Sequence, residues 1–128
     1  MKRKLLAMDV DGTAVRDDYK LGHVSKKAIE RARQAGHVIA FVTGRRDIDM
    51  LSMGRDGRCV DYLILNNGGK ILRCEDEAVL FNDLIDPESC KKLITYCLDN
   101  QLQLQICSGL LWKVSCMTES TLEYARSV

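Results

Sequence analysis

Asp9-Val10-Asp11-Gly12-Thr13 sets two carboxylates two residues apart, directly after the apolar run Leu5-Leu6-Ala7-Met8. Alternate side chains of a strand project to the same side, so Asp9 and Asp11 can face one site. Like charges that close favour a cation or a proton between them. Hard oxygen donors suit Mg2+ better than zinc, and Mg2+ commonly takes one or two carboxylates together with substrate phosphate. One carboxylate of such a pair can attack phosphorus and form an aspartyl-phosphate. The other, partly protonated, can donate to the leaving oxygen and later activate water. Gly12 lets backbone N–H groups turn toward a phosphate. An Asp-x-Asp-Gly at a strand end can also be a plain turn, its residues chosen for backbone reasons.

The elements that would position these groups follow from hydrophobic pattern. Leu5–Val10, His37–Val42 and Tyr62–Leu65 are short, nearly unbroken apolar runs, as expected of parallel strands covered on both faces. Val24, Ala28, Ile29 and Ala32 fall at helical spacing between the first two runs, with Ser25 as N-cap and Gly36 as C′ residue. A shorter helix, Arg46–Met53, closes at Gly54. This βαβαβ order predicts an α/β fold with an open, Rossmann-like parallel sheet.

The pattern changes after about residue 80. Asp86-Pro87-Glu88 is a helix start, and Cys90, Leu93, Ile94, Cys97 and Leu98 trace an apolar stripe behind it. Leu102, Leu104 and Ile106 alternate with glutamines, and Leu110, Trp112, Val114 and Cys116 alternate again after a Ser108-Gly109 turn. That is an antiparallel hairpin, and Thr118 then caps a helix over 119–126. Two domains are expected, residues 1–83 and an α+β domain opening at 84–128.

Ligands of open α/β sheets bind outside the carboxyl ends of the strands. The first run ends in Asp9 and Asp11, the second in Thr43-Gly44-Arg45, and the third in Asn66-Asn67-Gly68-Gly69. Three polar, glycine-bearing clusters thus converge on one sheet edge. Thr43 offers a hydroxyl, and Gly44 an unobstructed N–H, to the same anion. Arg45 and Asn67 are candidate substrate contacts, although Asn67-Gly68-Gly69 is also the natural bend toward the second domain. Arg46 is a candidate surface charge. Asp17, Asp18, Asp47 and Asp49 are read as solvated or capping, and His23 and His37 as structural.

Bulk properties exclude some functions. The chain has 128 residues and a net charge of +1, so no global field favours nucleic acid. No apolar stretch approaches the length of a membrane helix, and Asp9 interrupts the only run that imitates a leader. Six cysteines without CxxC spacing are expected to be reduced and buried, Cys90, Cys97 and Cys116 on apolar faces. These features together predict a cytoplasmic protein.

With these residues in place, the chain resembles the haloacid dehalogenase superfamily, and more narrowly its Cof-like sugar-phosphatase branch. Asp9-Val-Asp11-Gly-Thr13 is similar to that family's first motif, Val42-Thr43-Gly44-Arg45 to its second, and Leu65-Asn66-Asn67-Gly68-Gly69 to the segment before its cap. The resemblance implies that Asp9 is nucleophile and Mg2+ ligand. It implies that Asp11 is general acid/base and a further metal ligand, and that Thr43 and Gly44 hold the phosphoryl group of a small phosphorylated metabolite. The family's lysine and acidic-pair motifs have no counterpart here. The resemblance therefore implies a protein roughly twice this length, with the chain as its amino-terminal half and inactive alone. It also implies that the first strand is left as a bare apolar edge, so that the isolated chain self-associates. Two alternatives stay open: a phosphomutase of the same superfamily, and a non-catalytic phosphate- or metal-binding module. A receiver-like phosphoacceptor fits less well, since its aspartate belongs on a later strand.

Overall fold

A computed structural model of the protein describes residues 2–15, 20–52, 59–109 and 111–127. The chain divides into two compact units, Met1–Asp83 and Leu84–Val128. In the first, the apolar runs become β1 (Leu5–Asp9), β2 (Val38–Val42) and β3 (Tyr62–Leu65), with α1 (His23–Gln34) and α2 (Asp47–Ser52) between them. These three strands are parallel, in the order β1-β2-β3. The sheet then continues as β4 (Lys70–Arg73) and β5 (Val79–Asn82), both antiparallel to their neighbours, so it is mixed rather than wholly parallel. Lys70-Ile-Leu-Arg and Val79-Leu-Phe-Asn are four-residue strands split by a turn, too short to show a period in sequence.

The Asn66–Gly68 turn is a single 3-10 turn that reverses the chain into β4. It leads into β4 of the same sheet, so the reading of this turn as the step into the second domain does not hold. Asn66 and Asn67 have φ of 52° and 55°, a left-handed conformation that asparagine tolerates better than other side-chain-bearing residues. Helix α1 begins two residues before Ser25: its N-cap is Gly22, with no side-chain cap. Leu21 explains the shift, since it is buried and bridges Val15, which turns the chain at Gly22. Gly36 closes the helix at φ +81°. Of the expected stripe, Ile29 is buried and Ala32 half-buried, but Val24 is 81% exposed. Asp17, Asp18, Met53 and Gly54 lie outside the described residues.

The core of this unit is one cluster around Val10, Ile39, Phe41, Met50 and Leu65. Phe41 and Ile39 are fully buried because β2 lies between β1 and β3. The second unit comprises α3 (Pro87–Asp99), the antiparallel pair β6 (Gln105–Ser108) and β7 (Leu111–Val114), and α4 (Glu119–Ser127). Asp86 caps α3 by accepting from the Ser89 N–H at 2.9 Å. The Thr118 hydroxyl caps α4 by accepting from Thr121 N–H. Leu110 lies outside the described residues. Among those described here, the one buried side chain is Thr121, bonded to Gln103 and Thr118. None of the six cysteines forms a disulfide, and none is buried as expected: Cys59, Cys74, Cys90 and Cys97 are half-buried, Cys107 is exposed, and so is Cys116, which follows the end of β7. No helix among the described residues is long and apolar enough to cross a membrane.

Two outcomes are expected from this architecture. β1 forms one edge of the sheet, with Leu5 62% and Leu6 38% exposed. We predict that the 128-residue chain self-associates through that edge. Its mass in sedimentation velocity should rise with concentration and fall back in Leu5→Lys, whereas a monodisperse wild-type monomer would contradict the prediction. In the turn after β4, Arg73 forks onto Asp76 at 2.7 and 2.8 Å, and Ala78 N–H adds a third bond. The Arg73 guanidinium first, and then that N–H, lower the Asp76 carboxyl from 3.8 to about 2. A depressed carboxyl stabilises the fold above its unfolded value and loses that contribution as pH falls through its folded one. Carboxyl NMR of Asp76 should titrate near 2 in wild type and return toward 3.8 in Arg73→Ala.

Candidate functional site

The ladder between β1 and β2 pairs Leu5 with Val38 and ends by pairing Asp9 with Val42. Both strands therefore end at the same level, and Thr43 is the residue that follows Asp9's partner. Val10, between the two aspartates, is fully buried, while Asp9 and Asp11 are both exposed. β1 ends at Asp9, so Asp11 reaches the same exposed edge through the turn that follows rather than by strand alternation.

The turn that follows is tightly bonded. Val15 and Ala14 N–H groups both return to the carbonyl of Val10, at 2.9 and 3.0 Å. Gly12 sits at φ +73°, which favours glycine. Its N–H donates to Val15 O at 3.1 Å. Gly12 thus shapes the turn, but its own N–H is already engaged, contrary to the expectation that it faces an anion. Thr13 Oγ1 donates to Asp9 Oδ2 at 3.1 Å. Sequence reasoning gave Thr13 no role; the signal was a hydroxyl four residues after the acid, a spacing that only a closed turn makes meaningful.

The second cluster is stitched to the third by main-chain bonds. Thr43 N–H donates to Ile64 O, Asn67 N–H to Thr43 O, and Asn66 N–H to Arg45 O, at 2.9, 3.2 and 3.0 Å. Thr43 is 5% exposed, and its hydroxyl oxygen accepts from Arg45 N–H at 3.2 Å. Gly44 is exposed, and a Cβ there would lie 2.8 Å from Asn67 Oδ1. A side chain at Gly44 would therefore have to push the Asn67 amide aside.

The arginines divide. Arg45 reaches across to Asp11, with Nε to Oδ2 at 2.9 Å and a terminal nitrogen to Oδ1 at 2.5 Å. Arg46 is not a surface charge: it forks onto Asp49, and the two side chains are 12% and 3% exposed. Asp49 also accepts from the Arg46 N–H, so this buried pair fastens the start of α2. Asp49 is thus capping but not solvated. Asp47 pairs with Lys70 at 2.6 Å.

As a cation site the donors fit in type but not in number. Asp9 and Asp11 are hard oxygens, yet Asp11 is held by Arg45, and no group of three or more acidic, histidine or cysteine side chains among the described residues could hold a metal. A cleft of about 400 Å3 lies at the opposite, amino ends of the strands, lined by Arg3, Arg33, Asp61, Tyr62 and Arg73. Arg33 and Arg73 are already paired with Asp61 and Asp76. Paired acids beside a hydroxyl and a bare backbone occur at the carboxyl edge instead.

Comparison with known proteins bears on this arrangement. Residues 6–126 match the family model described as haloacid dehalogenase-like hydrolase. An HMP-PP phosphatase of Cronobacter sakazakii is 29% identical over 109 residues, which are 85% of this chain and 40% of that protein. The chain therefore spans less than half the length of this curated relative. A haloacid dehalogenase-like hydrolase from B. subtilis superposes with a TM-score of 0.80 at 18% identity, over 94% of this chain and 42% of that one. A sugar phosphatase of subclass IIB does so at 0.76 and 24%, over 95% and 47%. These likenesses establish the α/β fold.

Gly44→Ala should cost less than about 1 kcal/mol, since the obstructing atom is the tip of the exposed Asn67 side chain, which can turn aside. The urea midpoint should fall accordingly and recover in the double variant with Asn67→Gly, which removes the obstructing amide. No recovery would place the cost elsewhere.

Proposed function

The chain belongs to the haloacid dehalogenase-like hydrolases, and from that membership we propose a phosphohydrolase of small phosphorylated metabolites that works through an aspartyl-phosphate on Asp9. The observation that supports the proposal is the β1–β2 register, which pairs Asp9 with Val42 and so ends both strands at the carboxyl edge, with Thr43 the next residue after Asp9's partner. An Asp9 carboxylate oxygen attacks phosphorus while the bond to the leaving oxygen breaks, and Asp11 gives that oxygen its proton. Water then attacks the phosphorus of the aspartyl-phosphate and passes a proton back to Asp11. Phosphate leaves, and the Asp9 carboxylate is restored.

The contacts support this division of labour. Thr13 occupies Asp9 Oδ2, which leaves Oδ1 for attack and fixes its direction. Thr43 Oγ1 and the exposed Gly44 backbone are the donors for the phosphoryl oxygens, backed by the buried stitching beneath them. Arg45 and Asn67 are read as substrate contacts. Mg2+, which this family generally uses, would find hard oxygens on Asp9 and, once freed from Arg45, on Asp11, would need further oxygen donors beyond these two, and would neutralise charge on the transferred group.

Residues 84–128 we read as the opening of an inserted cap and residues 1–83 as part of the catalytic core, as in the Cof-like branch. Sugar phosphates are the class that branch suggests. The HMP-PP phosphatase relatives carry a different phosphorylated metabolite in their name. The substrate class stated here is the one both share.

The test is hydrolysis of p-nitrophenyl phosphate by the protein as its gene encodes it, with and without Mg2+. Asp9→Asn should lower turnover by roughly 10^4-fold or more, as loss of a nucleophile does elsewhere. Undiminished turnover in Asp9→Asn would overturn the assignment. A panel of sugar phosphates, scored for free phosphate against isomer formation, separates hydrolase from mutase.

A further inference from the structure

We propose that the cleft at the amino ends of the strands is a site for a small zwitterion, an α-amino acid with an apolar side chain, whose carboxylate meets Arg3 and whose ammonium meets Glu75. The cleft lies at the sheet edge opposite Asp9, and the inference does not depend on the phosphohydrolase reading. Its volume is about 400 Å3, and every residue lining it belongs to the first unit. That size suits a small molecule.

Bonds converging on Asp61, just before β3, build the wall of the cleft. Asp61 N–H donates to Ile39 O, and Asp61 O accepts from Cys74 N–H, both at 2.9 Å. The side chain is equally committed: Oδ2 accepts from Ile39 N–H at 2.8 Å, and Oδ1 pairs with Arg33 at 3.0 Å. Arg33 also donates to Cys59 O at 3.3 Å. Val38 N–H donates to Lys4 O at 2.9 Å, which carries the β1–β2 ladder one residue past Leu5 and brings Arg3 to this edge. The wall that includes Tyr62 and Cys74 is thereby fixed before any ligand arrives.

The charges decide what the cleft accepts. Arg3, Arg33, Asp61, Arg73 and Glu75 are its charged lining. Arg33 is neutralised by Asp61 and Arg73 by Asp76. One guanidinium and one carboxylate remain. Among the described residues neither Arg3 nor Glu75 makes a hydrogen bond or ion pair through its side chain, and Glu75 reaches Arg73 only as a nearby charge. A simple anion would gain Arg3 but face Glu75, and a simple cation would meet the reverse. A molecule carrying both signs satisfies both groups. Tyr62 and Cys74, both half-buried, add an apolar surface for its side chain.

Three probes separate these cases: L-phenylalanine has both charges, phenylpropionate only the acid, and phenethylamine only the amine. Each is titrated into the isotope-labelled 128-residue chain, and the amide NMR shifts of Asp61, Tyr62 and Cys74 are followed, with Thr43 and Gly44 reporting the opposite edge. Phenylalanine should shift the cleft amides saturably and bind about 3-fold or more tighter than either single-ended probe. Arg3→Ala should weaken phenylalanine about 5-fold or more by removing a charged fork, and should not weaken phenethylamine. Arg3→Lys keeps the charge without the fork and should lose less. Glu75→Gln should weaken phenylalanine about 3-fold and leave phenylpropionate unchanged or tighter. Both residues are exposed, so the dispersion of the amide spectrum should show each variant folded. No shift of the cleft amides up to about 10 mM would overturn the site. Equal binding of phenylalanine and phenylpropionate to wild type, or shifts confined to Thr43 and Gly44, would also overturn it. Each of these results leaves the phosphohydrolase assignment standing.

Discussion

Everything at the candidate site depends on the register in which β1 lies beside β2. Asp9 and the Thr43 turn are far apart in the chain and reach the same sheet edge because Leu5 pairs with Val38 and each later residue follows in step to Asp9 opposite Val42. The register is held by burial: Ile39 and Phe41 fill the cluster that also receives Val10 and Leu65. A slip of one residue would turn buried side chains outward, at a cost the sheet cannot sustain, and would also turn the aspartates away from the edge. Packing thereby dictates where the acids point.

On that frame, backbone bonding converts two loops into one surface. The Thr43, Asn66 and Asn67 N–H groups close a short network between the ends of β2 and β3, and the buried Arg46–Asp49 pair fastens the next turn to α2. These residues need touch no substrate. Their effect is to leave Thr43 and Gly44 with little freedom, which is what an anion site requires if it is to avoid reorganisation on binding. Breaking the Arg46–Asp49 pair by removing one member would strand the other charge in a place water barely reaches.

Much of this was legible in the residues. The apolar runs located β1, β2 and β3 to within a residue, and Asp86-Pro87 marked the start of α3. The convergence of Asp9, Thr43 and Asn67 on one edge follows from parallel strands alone. What escaped was set by partners distant in sequence. Arg46 and Asp49 read as surface charges because each is polar in isolation; only their bidentate contact makes them a buried unit. The Arg45–Asp11 pair spans 34 residues, a separation that carries no local pattern. β4 and β5 escaped because four residues are too few to display an alternation, and the Asn66–Gly68 turn was consequently assigned the wrong destination. Gly12 met its conformational role but not its donor role, since the N–H that seemed available closes onto Val15.

The Asn67-Gly68 step carries a liability of another kind. An asparagine followed by glycine is the dipeptide most prone to lose its amide, because the glycine nitrogen meets little obstruction in attacking the side-chain carbonyl, closing a succinimide and expelling ammonia. Hydrolysis of that ring leaves an aspartate or an isoaspartate. Asn67 is exposed, and its amide oxygen lies against Gly44. Ageing of this one side chain would therefore write a negative charge, or an extra backbone carbon, beside Gly44, the glycine proposed to face an anion. A preparation could keep its fold and mass to within a dalton and still lose affinity with storage.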